Sequence, residues 1–369
     1  MKRTLFSTVT FLVSTLCFSQ AVGTGHWTDT NNTEWRYTIE NEGGDLCAHI
    51  YEVAGNVPFD LVIPNMVGDD EYYSVTVIGE KALADNSNLI NATSLTISSG
   101  IREIGKEAFI GCKNINTVSI PSTVTLIGSG AFSDSSSLSK AEFGSIASLC
   151  NIYFASATAN PLRNAMHLYI DGKEVKDLVI PEGVKRIGDY TFYNCSSLRS
   201  VSLPGSVTSI GNYAFFDCTD MGNPTIPESV TVIGNYAFGR CHFSTVNIGN
   251  NVKEIGNYAF YNTYLTSVDI PNSVVSIGAS AFELCDRLTS VTVHRAEPLY
   301  IGQYTFSTRT NATLFVPFGC TSRYESADYW KDFKEIKETT ERVLGDINGD
   351  GRVDITDVTS LVNIILDKK

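Results

Sequence analysis

The sequence predicts an elongated, strand-dominated solenoid built by stacking copies of one short unit. Three observations carry this expectation. The motif Ile-Gly-x-x-Ala-Phe, or a variant with Thr or Leu in the apolar pair, recurs with its glycines at 79, 105, 128, 188, 211, 234, 256, 278 and 302. The gaps between those glycines are 26, 23, 60, 23, 23, 22, 22 and 24 residues, so the period is near 23. Every unit also repeats one apolar pattern around the motif, and a unit this small cannot bury its own apolar side without stacked neighbours.

The unit from Leu198 to Cys218 shows the pattern. Leu198, Val201 and Leu203 follow an L-x-x-L-x-L strand, which Pro204 ends because it cannot donate to a strand ladder. Val207 and Ile210 turn inward again, and Gly211 serves a turn conformation or a close backbone approach. Ala214 and Phe215 fill the core, and Cys218 closes the rung. The same grammar gives Ile115, Val118 and Ile120 before Pro121, and Leu265, Val268 and Ile270 before Pro271. A period near 23 lies in the range of leucine-rich repeats. The fold class expected is an α/β-type leucine-rich-repeat solenoid, mostly strands with short turns and helices.

The 60-residue gap reads as one repeat carrying an insertion at 145–175. Leu138, Ala141 and Phe143 form its strand, Ser145 to Phe154 reads as a short helix, and His167 to Val175 reads as a hairpin around Asp171-Gly172, a favoured type I′ pair. Val175, Leu178 and Ile180 before Pro181 resume the pattern. Residues 27–56, with Trp35 to Glu40 and Ala48 to Val53, read as a β-hairpin capping the first open rung.

This grammar resembles the BspA-like family of bacterial leucine-rich repeats over residues about 58 to 336. The entry "LVIPNMVGDDEYYSVTVIGEKAL" is similar to that family's first repeats, and "ATLFVPFGCTSRYESADYWKDFKEI" is similar to its closing cap. The resemblance implies adhesion to a host or neighbouring-cell surface protein through the solenoid.

Composition narrows the partners. Hydrophobic residues make up 43% and charged residues 18% of the 369, so the chain should fold. A net charge of −13 with no basic run makes nucleic acid and anionic membrane poor partners. Lys2 and Arg3, the apolar stretch Leu5 to Phe18, and Ser19-Gln20-Ala21 read as a secretory signal peptide cut after Ala21. Leu16 before Cys17 argues against a lipidated cysteine. No other stretch approaches the length of a membrane span. The expectation is export, to the medium or the cell surface. The segments are then 1–21 signal peptide, 22–75 N-terminal cap, 76–311 repeats, 312–336 C-terminal cap, 337–343 linker and 344–369 a separate module.

Four residue sets could carry function. Cys112, Cys195, Cys218, Cys241 and Cys285 each follow a core Phe by three residues. They read as a buried column of inert thiols rather than a metal or redox cluster, since Ser135 and Thr263 take the same place in other units. Cys47, Cys150 and Cys320 lie outside it and show no pairing. Tyr190, Tyr213, Tyr236 and Tyr258 follow their glycines by two, as packing between rungs or as an exposed stripe suited to ligands. Period-two alternation turns Ser200, Ser202, Asn223, Thr225, Thr245, Asn247, Ser267, Asp269, Ser290 and Thr292 outward, in two columns of small polar side chains. This is the candidate ligand face. Catalysis finds little support: five scattered His lack metal spacing, no nucleophile elbow or HExxH occurs, and repetition opposes convergence on one point.

The fourth set is "GDINGDGRVDITDV". Asp346, Asn348, Asp350, the Arg352 backbone carbonyl, Asp354 and Asp357 stand at calcium-loop offsets 1, 3, 5, 7, 9 and 12, with Gly351 at the sharp turn. Ca²⁺ is therefore the expected cofactor. Leu361, Ile364 and Ile365 give the following helix an apolar stripe, so the module is a calcium loop-helix. With no helix before the loop it resembles a single dockerin type I repeat, where that family carries two. The resemblance implies a cohesin-like partner and, as an alternative role, an accessory subunit of an extracellular polysaccharide-degrading assembly.

Overall fold

The computed structural model describes residues 21–339 and 355–366. The segment read as a signal peptide, up to residue 20, the rest of the segment read as a linker, beyond 339, and the segment read as a calcium loop, through Asp354, lie outside the described residues.

Each rung contributes two short strands, so stacking produces two parallel columns on different sides of one core. The first column contains the Leu-rich strands. It opens with Asp60–Ile63, Ser94–Ile97, Thr117–Ile120, Lys140–Phe143 and Leu168–Ile170 in one sheet. It closes with Ser267–Ile270, Ser290–Val293, Thr313–Val316 and Glu335–Glu338 in another. The second column contains the Ile-Gly strands. There Ile187, Ile210, Ile233, Ile255 and Ile277 lie in direct register, and all are buried.

The third side of the rung is the turn after Ile-Gly, where the phenylalanines form a continuous stack. Ring centroids from Phe192 to Phe215, Phe238, Phe260, Phe282 and Phe306 are 5.2, 5.3, 5.6, 5.2 and 4.9 Å apart. These side chains are fully buried, and each contributes roughly 1.5–3 kcal/mol by leaving water. The stack ends on Trp330 and Phe333 of the closing cap.

The Ile-Gly glycine answers the question its recurrence raises. Its φ is not positive. A Cβ on Gly234 would instead sit 2.6 Å from the backbone carbon of Gly211 in the rung before. The glycine is there so that successive backbones can touch. The left-handed conformation falls two residues later, on Lys81, Glu107, Tyr190, Tyr213, Tyr236, Tyr258 and Ser280, with φ between 55° and 61°.

The N-terminal cap is larger than a hairpin. Strand β1 (Ala21–Thr28) adds to the hairpin of β2 (Thr33–Glu42) and β3 (Asp45–Gly55), and β3 pairs in parallel with Tyr73–Ile78 of the first rung. The first column already starts at Asp60, inside the segment 22–75 read as cap. In the insertion, the helix covers only Ile146–Asn151, because Tyr153–Phe154 leaves it to pair with Leu126–Ile127 as an Ile-Gly strand. The hairpin turn is as expected: Asp171 and Gly172 have φ of 48° and 72°. At the far end Glu335–Glu338 pairs with Thr313–Val316, so the last strand runs two residues into the segment 337–343 read as linker. Alternation of Ile336 with polar neighbours lets a Lys/Glu-rich stretch serve there as an edge strand.

Candidate functional site

All ten residues of the expected ligand face are exposed or half-exposed, while Val246, Ile248, Val268, Ile270, Val291 and Val293 between them point into the core. Register places Thr225 beside Asn247, Ser267 beside Ser290, and Asp269 beside Thr292. The columns run further than the sequence reading traced them. Ser94 and Thr96 lie beside Thr117 and Ser119, which lie beside Lys140 and Glu142. The face therefore changes from small polar groups to charged ones towards the insertion.

One feature differs from a flat, continuous sheet. The column divides into separate ladders around Thr225, with Ser200–Ser202 on one side and Thr225–Asn247 on the other. Pro224 explains the break, since it brings no N–H to the strand. Across the break the Gly222 amide still donates to Arg199 O at 2.8 Å, and on the far side the Asn223 Oδ1 accepts from the Ser244 and Thr245 amides of the next rung at 3.0 and 3.1 Å. Asn223 is thus partly consumed by the fold. Two other face residues are held in place. The Ser200 hydroxyl donates to Asp177 at 2.6 Å, and Asp269 Oδ1 lies 2.6 Å from His294 Nε2.

The cysteine column is a column of hydrogen-bond donors. Cys218 donates to the Phe192 carbonyl at 3.2 Å, Cys241 to Phe215 at 3.1 Å, and Cys285 to Phe260 at 3.2 Å. Ser135 makes the same bond to Phe109 at 3.3 Å. The position asks for a small donor, which Ser or Cys supplies. Burial raises all five thiols, Cys112 to about 12 and Cys285 to about 11. They are protonated and unreactive at neutral pH. Among the described residues every cysteine is buried, Cys47, Cys150 and Cys320 included.

The tyrosines stack ring on ring. Centroids of Tyr190, Tyr213, Tyr236 and Tyr258 are 5.2, 4.6 and 4.5 Å apart in sequence, nearly parallel. Beside them runs an asparagine ladder that the sequence reading missed, although Asn recurs in "IGNYAF" one residue after the glycine. The Asn235 amide donates to Asn212 Oδ1 at 2.9 Å, the Asn257 amide to Asn235 Oδ1 at 2.8 Å, and the Ala279 amide to Asn257 Oδ1 at 2.8 Å.

Of the expected calcium ligands, Asp346, Asn348, Asp350, Arg352 and Asp354 lie outside the described residues. Asp357 stands in the first turn of the helix Ile355–Leu366 and is 3% exposed. Ile355, Val358, Leu361, Val362 and Ile365 of that helix are all exposed. Asp357 carries carboxylate oxygens, which are hard donors of the kind Ca²⁺ takes. Among the described residues no group of three or more His, Cys, Asp or Glu is arranged for a metal, and no helix is long and apolar enough to cross a membrane.

Two parallel strand columns, an internal phenylalanine stack and a cap at each end define a leucine-rich-repeat solenoid. Residues 72–160, 168–243 and 210–329 match the BspA type leucine rich repeat region, in six copies. The chain belongs to that family. No curated protein matches this sequence. Among solved structures it is similar to a leucine-rich repeat protein from Bacteroides ovatus, with 23% identity, 83% of this chain and 75% of that chain covered, and a TM-score of 0.56. A leucine rich cell surface protein from Faecalibacterium prausnitzii gives 23% identity, coverage of 86% and 96%, and a TM-score of 0.43. The pneumococcal vaccine antigen PcpA gives 17%, coverage of 88% and 100%, and 0.44.

Proposed function

We propose that this chain is an exported, non-catalytic binding protein that works in the medium or at a bacterial cell surface, where its solenoid holds a protein of a host or neighbouring cell. The observation that carries the reading is the polar strand face. Short hydroxyl and amide side chains at fixed register give donors and acceptors that lose little side-chain entropy on binding. The stacked core keeps their spacing rigid, which lowers the cost of association further. Groups that could combine into a catalytic centre are instead repeated along the columns.

The C-terminal segment is assigned a Ca²⁺ ion held by Asp346, Asn348, Asp350, the Arg352 carbonyl, Asp354 and Asp357. The hard carboxylate oxygens of Asp357 support this. The exposed apolar side chains of the helix Ile355–Leu366 support a second role for the segment, docking on a cohesin-like partner within an extracellular polysaccharide-degrading assembly.

One experiment separates the two roles. The secreted full-length chain and a chain ending at residue 339 are applied to the same array of extracellular-matrix and cell-envelope proteins, with Ca²⁺ and with chelator. Hits kept by the shorter chain and indifferent to chelator assign binding to the solenoid. Hits lost with the tail or with Ca²⁺ assign it to the C-terminal helix, and the solenoid reading then fails.

A further inference from the structure

We propose that the tyrosine–asparagine ladder is a second binding site, separate from the strand face, and that it takes a neutral polysaccharide chain. The ladder lines an open groove of about 490 Å³ on the turn side of the solenoid. That volume is within the range of small-ligand sites.

The fold does not require tyrosine here. The left-handed position is filled by Lys81, Glu107 and Ser280 in other rungs, with φ of 57°, 56° and 58°. In the left-handed conformation tyrosine fills four consecutive rungs, where it places a phenol in a strained backbone position at every step; Tyr304, two residues after Gly302, lacks the positive φ. The Phe stack beneath already supplies the aromatic core of those rungs. Rings on the surface turn add a row of hydroxyls that the core does not need.

What the groove offers chemically is narrow. Hydroxyls of Tyr190, Tyr213, Tyr236 and Tyr258 have no hydrogen-bond partner among the described residues, and burial raises the first three, so they remain donors at neutral pH. The Asn212 amide nitrogen is held by Asp189 at 3.1 Å, but those of Asn235 and Asn257 have no partner among the described residues. Among the described residues no charged side chain lines the groove. It thus suits an uncharged ligand rich in hydroxyls.

An extended peptide fits less well for two reasons. Peptide addition to an edge needs free backbone groups, and here they are used: the Tyr213 amide donates to Asn235 O at 2.8 Å and the Tyr236 amide to Asn257 O at 2.9 Å. A strand also advances about 3.3 Å per residue, out of step with ring spacings of 4.5 to 5.2 Å. Side-chain hydroxyls and amides at intervals close to the rung spacing instead meet a chain of linked sugar rings, each with several hydroxyls. The ladder also stops abruptly. Beyond Tyr258 the next rung supplies Ser280 and Ala279 in place of Tyr and Asn, and Ala279 is part of the groove wall. A sugar ring stacked on Tyr258 there would occupy the place of a fifth tyrosine.

The test is affinity electrophoresis of the full secreted chain through native gels cast with soluble neutral glucans, xylans or mannans. Retardation by at least one polysaccharide is expected. Tyr258→Ser, which copies the Ser280 rung, should weaken it at least tenfold. Tyr236→Phe with Tyr258→Phe keeps both rings and removes two hydroxyls, so it preserves the stack and should weaken binding at least fivefold. Asn247→Lys, on the strand face, should leave retardation unchanged. The proposal is overturned if no polysaccharide retards the chain, or if the double phenylalanine variant is retarded like the wild type. It is also overturned if Tyr258→Ser abolishes binding to a protein ligand while no polysaccharide binds, which would assign the groove to protein.

Discussion

The buried cysteine column makes the stability of this solenoid sensitive to alkali. An unfolded thiol ionises near pH 8.5, whereas burial holds Cys112 up to about 12 and Cys285 up to about 11, with Cys195, Cys218 and Cys241 raised at least as firmly. A raised folded-state pKa gives stability that is complete below the unfolded value. That stability is lost as pH climbs towards the folded value, because only the unfolded chain releases the proton. Between pH 7.5 and 9.5 each thiol should cost about 1.4 kcal/mol. Five thiols would cost roughly 7 kcal/mol, comparable to the whole stability of many domains. The assay is urea unfolding in the presence of a reductant at both pH values, followed by far-UV circular dichroism. Trp27, Trp35 and Trp330 lie only in the caps, so tryptophan emission separates the ends from the rungs. Replacing Cys218 and Cys241 together with Ser keeps a donor, as Ser135 does, and should recover about 2.8 kcal/mol of the alkaline loss. Equal urea midpoints at pH 7.5 and 9.5, or an unaltered fall in the double serine variant, would refute the reasoning.

Further outcomes follow from the same contacts. Gly234→Ala should cost about 1–3 kcal/mol, read as a lower thermal midpoint, because the new methyl meets the Gly211 backbone rather than a side chain that can move. Phe238→Ala should cost about 3–5 kcal/mol by opening a hole in the ring stack. The insertion hairpin should loosen in acid. His167 holds the Glu174 carboxyl below its usual range, and Lys140 with the Gly172 amide does the same for Glu142. Depressed carboxyls stabilise above their ordinary range and lose that effect as pH falls through it. The protection factor of the Gly172 amide, its exchange rate relative to the intrinsic rate at the same pH, should therefore fall below about pH 4, where the unfolded carboxylate takes up its proton.

The rung grammar was legible because the core is periodic. Leu198, Val207, Ile210 and Phe215 occupy positions whose only task is burial, so spacing alone locates them. Outward residues could be assigned by alternation for the same reason. What stayed hidden depends on contacts between rungs. The side chains of Asn212, Asn235 and Asn257 each accept from a backbone amide one rung away, and a local pattern gives no sign of that partner. The break at Thr225 was written in Pro224, but its effect needs the neighbouring strand, because a missing N–H matters only where a ladder would use it. Strand β1 begins at Ala21, the last residue of the segment read as a signal peptide, and lacks a strong apolar face, with half-exposed and exposed residues alternating, so nothing in its composition marks it as the outer strand of the cap. The choice of Ile-Gly for close approach rather than for a positive φ likewise required the preceding rung.

The account centres on the polar strand face as the surface that binds. The most direct measurement is the affinity of the Asn247→Lys, Asp269→Lys double variant for a protein captured by the wild-type solenoid, taken beside its thermal midpoint. Both side chains are exposed in the columns, beside Thr225 and Thr292. The account predicts at least a tenfold loss of affinity, about 1.4 kcal/mol, with little change in melting. Wild-type affinity in a folded double variant would contradict it and move the binding surface elsewhere on the molecule.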